Sequence, residues 1–441
     1  MSKTTEPQIS VGIMSAPKIS FQLRGNYQVN NKPICGELSA TIQNGLIHCG
    51  NIFGEEILFM PTTPECDCFE LHDVTIGVNF HWERKENQVF RGALKLIIEN
   101  GNITTVNILS VESYLESVIS SEMSATASIA LLKAHAVISR SWLLAQIEKN
   151  KTLAQNNTEY NTCTITDNEI TRWWDREDHV NFDVCADDHC QRYQGITRAS
   201  TPTVVEAVKE TRGEVLMADG KLCDARFSKS CGGVYEVFES CWEPVHYNYL
   251  EPRLDNTDEN SFPDLTIEEN AKKWILSSPE AFCNTTDAEV LSQVLNNYDQ
   301  ETTDFYRWTV EYTQDELKEL IRSRSGIDYG KIKSLKSIQR GTSGRIVRLE
   351  IVGEKRTMVI GKELEIRRTL SPSHLYSSAF VVETSGSDAD GYPTKFTLRG
   401  AGWGHGVGLC QIGAAVMGSK GYDYKQILLH YFVDAEIKEL Y

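Results

Sequence analysis

Apolar positions along the first hundred residues come in short alternating pieces. Ile19, Phe21 and Leu23 alternate with polar neighbours, Leu46-Ile47 is brief, and Phe90 to Ile98 runs apolar in fragments. Asn and Gly punctuate them at Asn30-Asn31, Asn44-Gly45, Gly50-Asn51 and Asn100-Gly101. Period two with turn residues between predicts a β-meander from about Ile9 to Asn107. Asn100-Gly101 predicts a tight hairpin joining Leu94–Ile98 to Thr104–Leu109.

The period then changes. Val111, Tyr114, Leu115, Val118 and Ile119 fall at i, i+3, i+4, i+7 and i+8, one face of a helix, with Glu112 and Glu116 elsewhere on it. After a break at Ser121 to Ser124, an Ala- and Leu-rich stretch predicts a second helix from about Thr126 to Lys149, in which apolar residues surround Lys133, His135 and Arg140. The polar stretch from Asn156 to His189 reads as loop, and Arg192 to Val205 as irregular. Further strands are expected at Thr211–Val215 and Leu222–Phe227, around Asp219-Gly220. Later expectations are helices at Ile267–Trp274 and Gln314–Arg324, a hairpin of Ile346–Val352 with Thr357–Ile360, a strand Lys395–Leu398 feeding a Gly-rich loop, and helices at Leu409–Met417 and Tyr424–Phe432. The fold class is α+β with segregated helices. The expected division is a β-rich region 1–107, a core in two parts at 108–250 and 341–441, and a helical or linker insertion at 251–340.

Composition narrows the function. The chain has 441 residues, room for two or three domains, and 44 Lys plus Arg against 61 Asp plus Glu, a formal charge of -17. That field repels polyanions, so nucleic acid and anionic membrane are disfavoured as partners. No run approaches the roughly 20 apolar residues of a membrane span. Met1 to Gly25 has no apolar core and does not read as a signal peptide, so the chain reads as cytoplasmic or as having lost an export segment. Of its 12 cysteines, Cys35, Cys49, Cys283 and Cys410 stand alone and read as small buried residues or free thiols.

Four constellations could carry chemistry. Glu122 follows an apolar helix, where the helix field raises a carboxyl pKa, although the next helix N-terminus acts in the opposite sense. A carboxylic acid held protonated there suits glycosidic cleavage; a solvated side chain is the plain alternative. His179, Cys185, His189 and Cys190 are a Cys2His2 ligand set by type, with Asp183, Asp187 and Asp188 as spare oxygen donors; a polar loop or a Cys185–Cys190 disulfide is equally compatible with the spacing. Ser230-Cys231-Gly232-Gly233 is a turn or a place where backbone meets a ligand. In Gly400 to Gly408 alternate glycines imply close packing or a ligand against the backbone. No Lys-Ser/Thr follows, and no βαβ unit fits after it, which excludes a phosphate loop and a dinucleotide site. Trp403 and His405 suit a carbohydrate, and a buried structural His405 is the competing reading.

These blocks together resemble the SpoIID/LytB family of bacterial cell-wall proteins. The matching residues are Val111 to Leu115 through Ser121-Glu122-Met123, Leu132 to Arg140, Asp183 to Gln191, Phe227 to Gly233, Ser343-Gly344-Arg345 and, most specifically, Gly402 to Ala414. The chain departs from the family pattern at Ser124 (usually Pro), His135 (usually Gln), and Cys231 and Cys410 (commonly Ser). The resemblance implies a lytic transglycosylase that cuts peptidoglycan strands stripped of stem peptides, or an enhancer of a cell-wall amidase. It implies Glu122 as the acid and Arg140, Ser230, Gly232, Gly233, Trp403, His405 and Gln411 as substrate-contacting. It implies no cofactor for the chemistry and a structural zinc at His179, Cys185, His189 and Cys190. It places the substrate outside the cytoplasm. Trp173 and Trp174 are stacking or core residues. The Gly-rich loop is expected beside Glu122.

Overall fold

The computed structural model describes residues 5–76, 84–124, 127–156, 161–173, 179–187, 190–197, 201–257, 261–294 and 303–441. The fold is α+β, with a β-rich N-terminal part, two long central helices and a mixed C-terminal part. Expected hairpins form where Asn-Asn, Asn-Gly or Asp-Gly supplies two consecutive positive φ angles. Asn30-Asn31, Asn44-Gly45, Asn100-Gly101 and Asp219-Gly220 all do so. The turn at Asn100-Gly101 joins Ala93–Glu99 to Asn102–Ser110, with Asn102 opposite Glu99.

The N-terminal strands do not form a simple meander. Gln8–Ala16 pairs antiparallel with Asn102–Ser110, so the first strand lies beside the last. Lys18–Val29 pairs with Lys32–Gln43, Glu56–Pro61 and Cys68–Ile76. A long strand with a shift in register between Leu23 and Tyr27 can serve several partners, which local sequence does not encode.

Helices α1 (Val111–Glu122) and α2 (Ile129–Asn156) follow directly. Ser110 caps α1 by accepting from the Ser113 N–H, and the face read from the sequence is the buried one: Val111, Tyr114, Leu115, Val118 and Ile119. Arg192 to Val205 is not wholly irregular: Pro202–Glu210 is a helix, with Thr201 as its cap and Pro202 in its first turn. The polar stretch before it contributes Glu169–Arg172, parallel to Thr357–Gly361, and Val184–Cys185, parallel to Gln8–Ala16.

Among the described residues two large hydrophobic cores result, beside a small cluster of Ala271, Ile275, Ala379, Val381 and Ala401. One spans the N-terminal strands, α1 and α2, and is completed by Gln411–Ser419 and Tyr424–Tyr431 from the chain's end. The other, around Trp308, Leu317, Leu349, Phe380 and Phe396, is built from 308–398. In it Arg307–Thr313 pairs with Lys395–Ala401, and Ile332–Arg340 with Ile346–Gly353.

Candidate active site

Glu122 is the last residue of α1. The Met123 N–H closes on Ile119 O at 2.9 Å, and the buried, extended Met123 turns the chain away. The turn is held by helix Ala288–Val294: Ser124 N–H donates to Gln293 O at 3.0 Å and Ser128 N–H to Gln293 Oε1 at 3.1 Å. Glu122 is therefore half-buried at a fixed helix end. Its Oε1 accepts the Arg192 N–H at 3.1 Å. That N–H comes from the segment after Cys190, anchored by Gln191, whose amide accepts from Tyr114 Oη at 3.3 Å and donates to Ser139 O at 3.5 Å.

On the same helix lies a cleft of about 370 Å³ lined by Arg91, Ser113, Glu116, Ser117, Tyr193 and Gly195, among others. Burial pushes the Glu116 carboxyl up; Arg91 opposes the shift and Glu112 adds to it. The sequence placed Glu116 off the apolar face but gave no sign that a cleft would enclose it.

The candidate metal ligands converge in part. The donor atoms of His179, Cys185 and Cys190 lie within 4.8 Å of one another. The Cys185 N–H points to Cys190 Sγ at 3.5 Å, and both cysteines are thiols. These donors fit a structural zinc, with His189, Asp188 and Trp174 outside the described residues. The segment that would hold the metal is the one that presents the Arg192 N–H to Glu122.

Arg140 has a different place from the one expected. It is fully buried and forks onto Glu112, Nε to Oε1 at 2.9 Å and Nη2 to Oε2 at 2.7 Å, while Nη1 donates to Glu214 O at 2.9 Å. With its donors spent inside the protein it ties α1 to α2 rather than reaching toward a sugar. Gln411 is buried likewise, its Nε2 donating to His135 Nε2 at 3.1 Å.

Of the two readings of the Gly-rich block, the geometry favours close packing. Gly402, Gly404, Gly406 and Gly408 all have positive φ. A Cβ on Gly406 would run into the guanidinium of Arg345. Arg345 is fully buried and donates to Gly404 O at 3.0 and 2.9 Å, Cys231 O at 3.0 Å and Ser230 O at 3.3 Å. Ser230 and Trp403 exchange backbone hydrogen bonds at 3.0 and 2.8 Å. Gly232 and Gly233 adopt positive φ, and a Cβ on Gly232 would lie 3.0 Å from Gly402 N. The half-buried Trp403 ring packs on Tyr376 and Phe305 at 4.3 and 4.8 Å. His405 accepts the Val407 N–H on Nδ1 at 3.1 Å; burial, with Arg226 and Arg345 nearby, holds it well below the usual imidazole range and therefore neutral. Arg345 is the residue that organises both loops, and only its place in a short matching block had marked it in the sequence.

Lys229 is one link between the segment beside the Gly-rich loop and the turn after Glu122. Lys229 Nζ donates to Val294 O, next to the Gln293 that holds Ser124, and Lys229 O accepts the Ile412 N–H at 3.1 Å.

Residues 99–217 match the family model described as Stage II sporulation protein. Residues 236–408 match a domain of unknown function, DUF8618. An uncharacterised protein of Brachyspira hyodysenteriae is 24% identical over 421 residues, 95% of this chain and 89% of that protein. The amidase enhancer of Bacillus subtilis is 24% identical over 233 residues, 52% of this chain; the match spans 31% of that protein.

Proposed function

We propose, for a chain that belongs to the SpoIID/LytB family, that it acts on the bacterial cell wall as a lytic transglycosylase of peptidoglycan strands stripped of stem peptides. The observation that carries this reading is Glu122: a carboxyl at a fixed helix end, half-buried, with one oxygen held by the Arg192 N–H, inside the segment that matches the family. Glu122 as acid gives its proton to the glycosidic oxygen between N-acetylmuramic acid and N-acetylglucosamine, and the bond to the anomeric carbon breaks. The muramic C6 hydroxyl attacks that carbon and its proton returns to Glu122. A 1,6-anhydro ring closes and no water is consumed. One carboxyl suffices because the nucleophile belongs to the substrate, unlike the two-carboxyl hydrolases. The Arg192 N–H orients the carboxylate through both proton transfers. No cofactor enters the reaction; a zinc at His179, Cys185, His189 and Cys190 would brace the segment that carries this N–H. The substrate puts the site of action in the cell envelope.

The test is mass spectrometry of products from denuded glycan. Anhydro-muramic ends are expected with the wild type, and a rate lower by about 10²-fold or more with Glu122→Gln, which keeps size but cannot cycle a proton. The similarity to an amidase enhancer favours one other reading, a glycan- or amidase-binding protein that stimulates a cell-wall amidase. Absence of anhydro products together with stimulation of an added amidase, unchanged in Glu122→Gln, would establish that reading instead.

A further inference from the structure

Three cysteines and one aspartate from four separate segments meet in the interior. Cys231 follows strand Phe227–Ser228, Cys410 ends strand Leu409–Cys410, and these two strands pair in parallel. Asp255 and Cys283 come from the chain between them. The four donor atoms lie within 4.8 Å of one another and all four residues are buried. Cys231 Sγ and Cys283 Sγ are 3.6 Å apart. A tetrahedron with Zn–S bonds of about 2.3 Å has edges of about 3.8 Å, whereas a disulfide requires about 2.05 Å.

The surroundings fit ligands rather than idle thiols. Cys410 Sγ accepts the Cys231 N–H at 3.3 Å, and Cys231 Sγ accepts the Gly233 N–H at 3.4 Å. Asp255 is oriented on both sides: Oδ2 accepts the Cys283 N–H at 2.9 Å and Oδ1 accepts from Tyr431 Oη at 3.0 Å. Metal ligands are characteristically fixed in this way by outer partners. Asp255 is also a carboxylate with no exposure, and among the described residues it has no Lys or Arg ion pair, only His430 Nε2 at 3.7 Å. A carboxylate buried beside three thiols is costly unless a positive charge joins it.

We propose that Cys231, Cys283, Cys410 and Asp255 bind a structural zinc ion, separate from the His179, Cys185 and Cys190 set. Four protein donors leave no open position, so the ion is a staple, not a reagent. It joins the Ser230–Gly233 turn, the strand entering helix Gln411–Ser419 and the 255–283 segment. The proposal does not depend on the chain's being a transglycosylase.

The test uses the full chain purified under reducing conditions without chelator. Native mass spectrometry and elemental analysis should find a zinc that is retained in Cys185→Ser and lost in Cys283→Ser. Asp255→Asn, close in size and able to keep the Cys283 N–H on its one acceptor oxygen while its amide donates to Tyr431 Oη, should weaken retention by 10-fold or more, the scale of a lost anchoring group. X-ray absorption of the Cys185→Ser protein should show three sulfur neighbours and one lighter one. Cobalt(II) added to apoprotein should give a thiolate charge-transfer band that Cys283→Ser abolishes. Should Cys283→Ser not fold, Asp255→Asn and the X-ray absorption of the Cys185→Ser protein decide. Zinc content unchanged in Cys283→Ser and Asp255→Asn would overturn the proposal, as would a disulfide among the three cysteines or zinc with no three-sulfur shell.

Discussion

His135 is fully buried, its Nδ1 facing Ser139 Oγ at 3.2 Å and its Nε2 facing Gln411, with its ring against Phe227 at 4.5 Å. Burial, reinforced by Lys229, pushes its pKa from 6.5 down to about 3. The unfolded chain therefore binds a proton in a range where the folded chain does not. Stability is fully present above about pH 6.5 and is lost as pH falls toward 3, by up to about 1.4 kcal/mol per pH unit. Between pH 7 and 5 wild-type urea stability should fall by about 2 kcal/mol more than that of His135→Gln, which keeps a hydrogen-bonding amide but does not titrate. Equal slopes would show that His135 is not the titrating group. At Glu112 the bonds from Arg140 and from Tyr441 Oη at 2.6 Å converge on a buried carboxylate. Arg140→Met should destabilise by about 3–5 kcal/mol, because it strands that charge; adding Glu112→Gln should recover part of the loss. Full activity per folded molecule in the double variant would bear out Arg140 as a tie between helices rather than a sugar contact.

Elements report where such local contacts become shape. The α1–α2 corner exposes Glu122 because helix Ala288–Val294 holds the turn from outside and residues 190–194 pack over both helices. The Gly-rich block depends on Arg345 in the same way. Gly406→Ala introduces strain at φ +77° and displaces the guanidinium that holds two loops. Stability should drop by more than about 2 kcal/mol, read as a lower Tm. If glycan affinity fell at unchanged Tm, the loop would be a ligand-facing surface instead. The alternation of glycines was legible as close packing or a ligand on the backbone. Sequence could not choose between them, because the group that fills the space sits about sixty positions away, at Arg345. The helix Pro202–Glu210 was missed although Thr201-Pro202 is a start signal and Val204, Ala207 and Val208 follow at i, i+3 and i+4, because nine residues with three β-branched valines are too short a stretch for the period to stand out.

The whole molecule is held by segments that return. The C-terminal helices complete the first core, strand Glu436–Glu439 pairs with Glu214–Ala218, and Tyr441 reaches Glu112. If zinc occupies the Cys231, Asp255, Cys283 and Cys410 set, it cross-links parts of the chain that are remote in sequence, whereas at His179, Cys185 and Cys190 it braces one short segment. Removing metal with a strong chelator should then lower the Tm by at least about 5 °C, recovered on adding zinc back. An unchanged calorimetric trace would count against both sets.

The amino-acid sequence alone determined what short-range physics controls. Asn-Gly and Asp-Gly pairs specify hairpins because they tolerate positive φ, and the 3.6-residue spacing from Val111 to Ile119 specifies a helix face that ends just before Glu122. His179, Cys185 and Cys190 were legible as a group because they are near one another in the chain. Cys283 and Cys410 were read as solitary for the opposite reason: Cys231 is 52 positions from the first and 179 from the second. Only tertiary structure decided that they share a site with Asp255, that Arg140 is spent on Glu112, and that Arg345 fills the Gly-rich loop. Those outcomes depend on which distant segments pack together, and packing is fixed by the summed burial of both cores rather than by any local pattern.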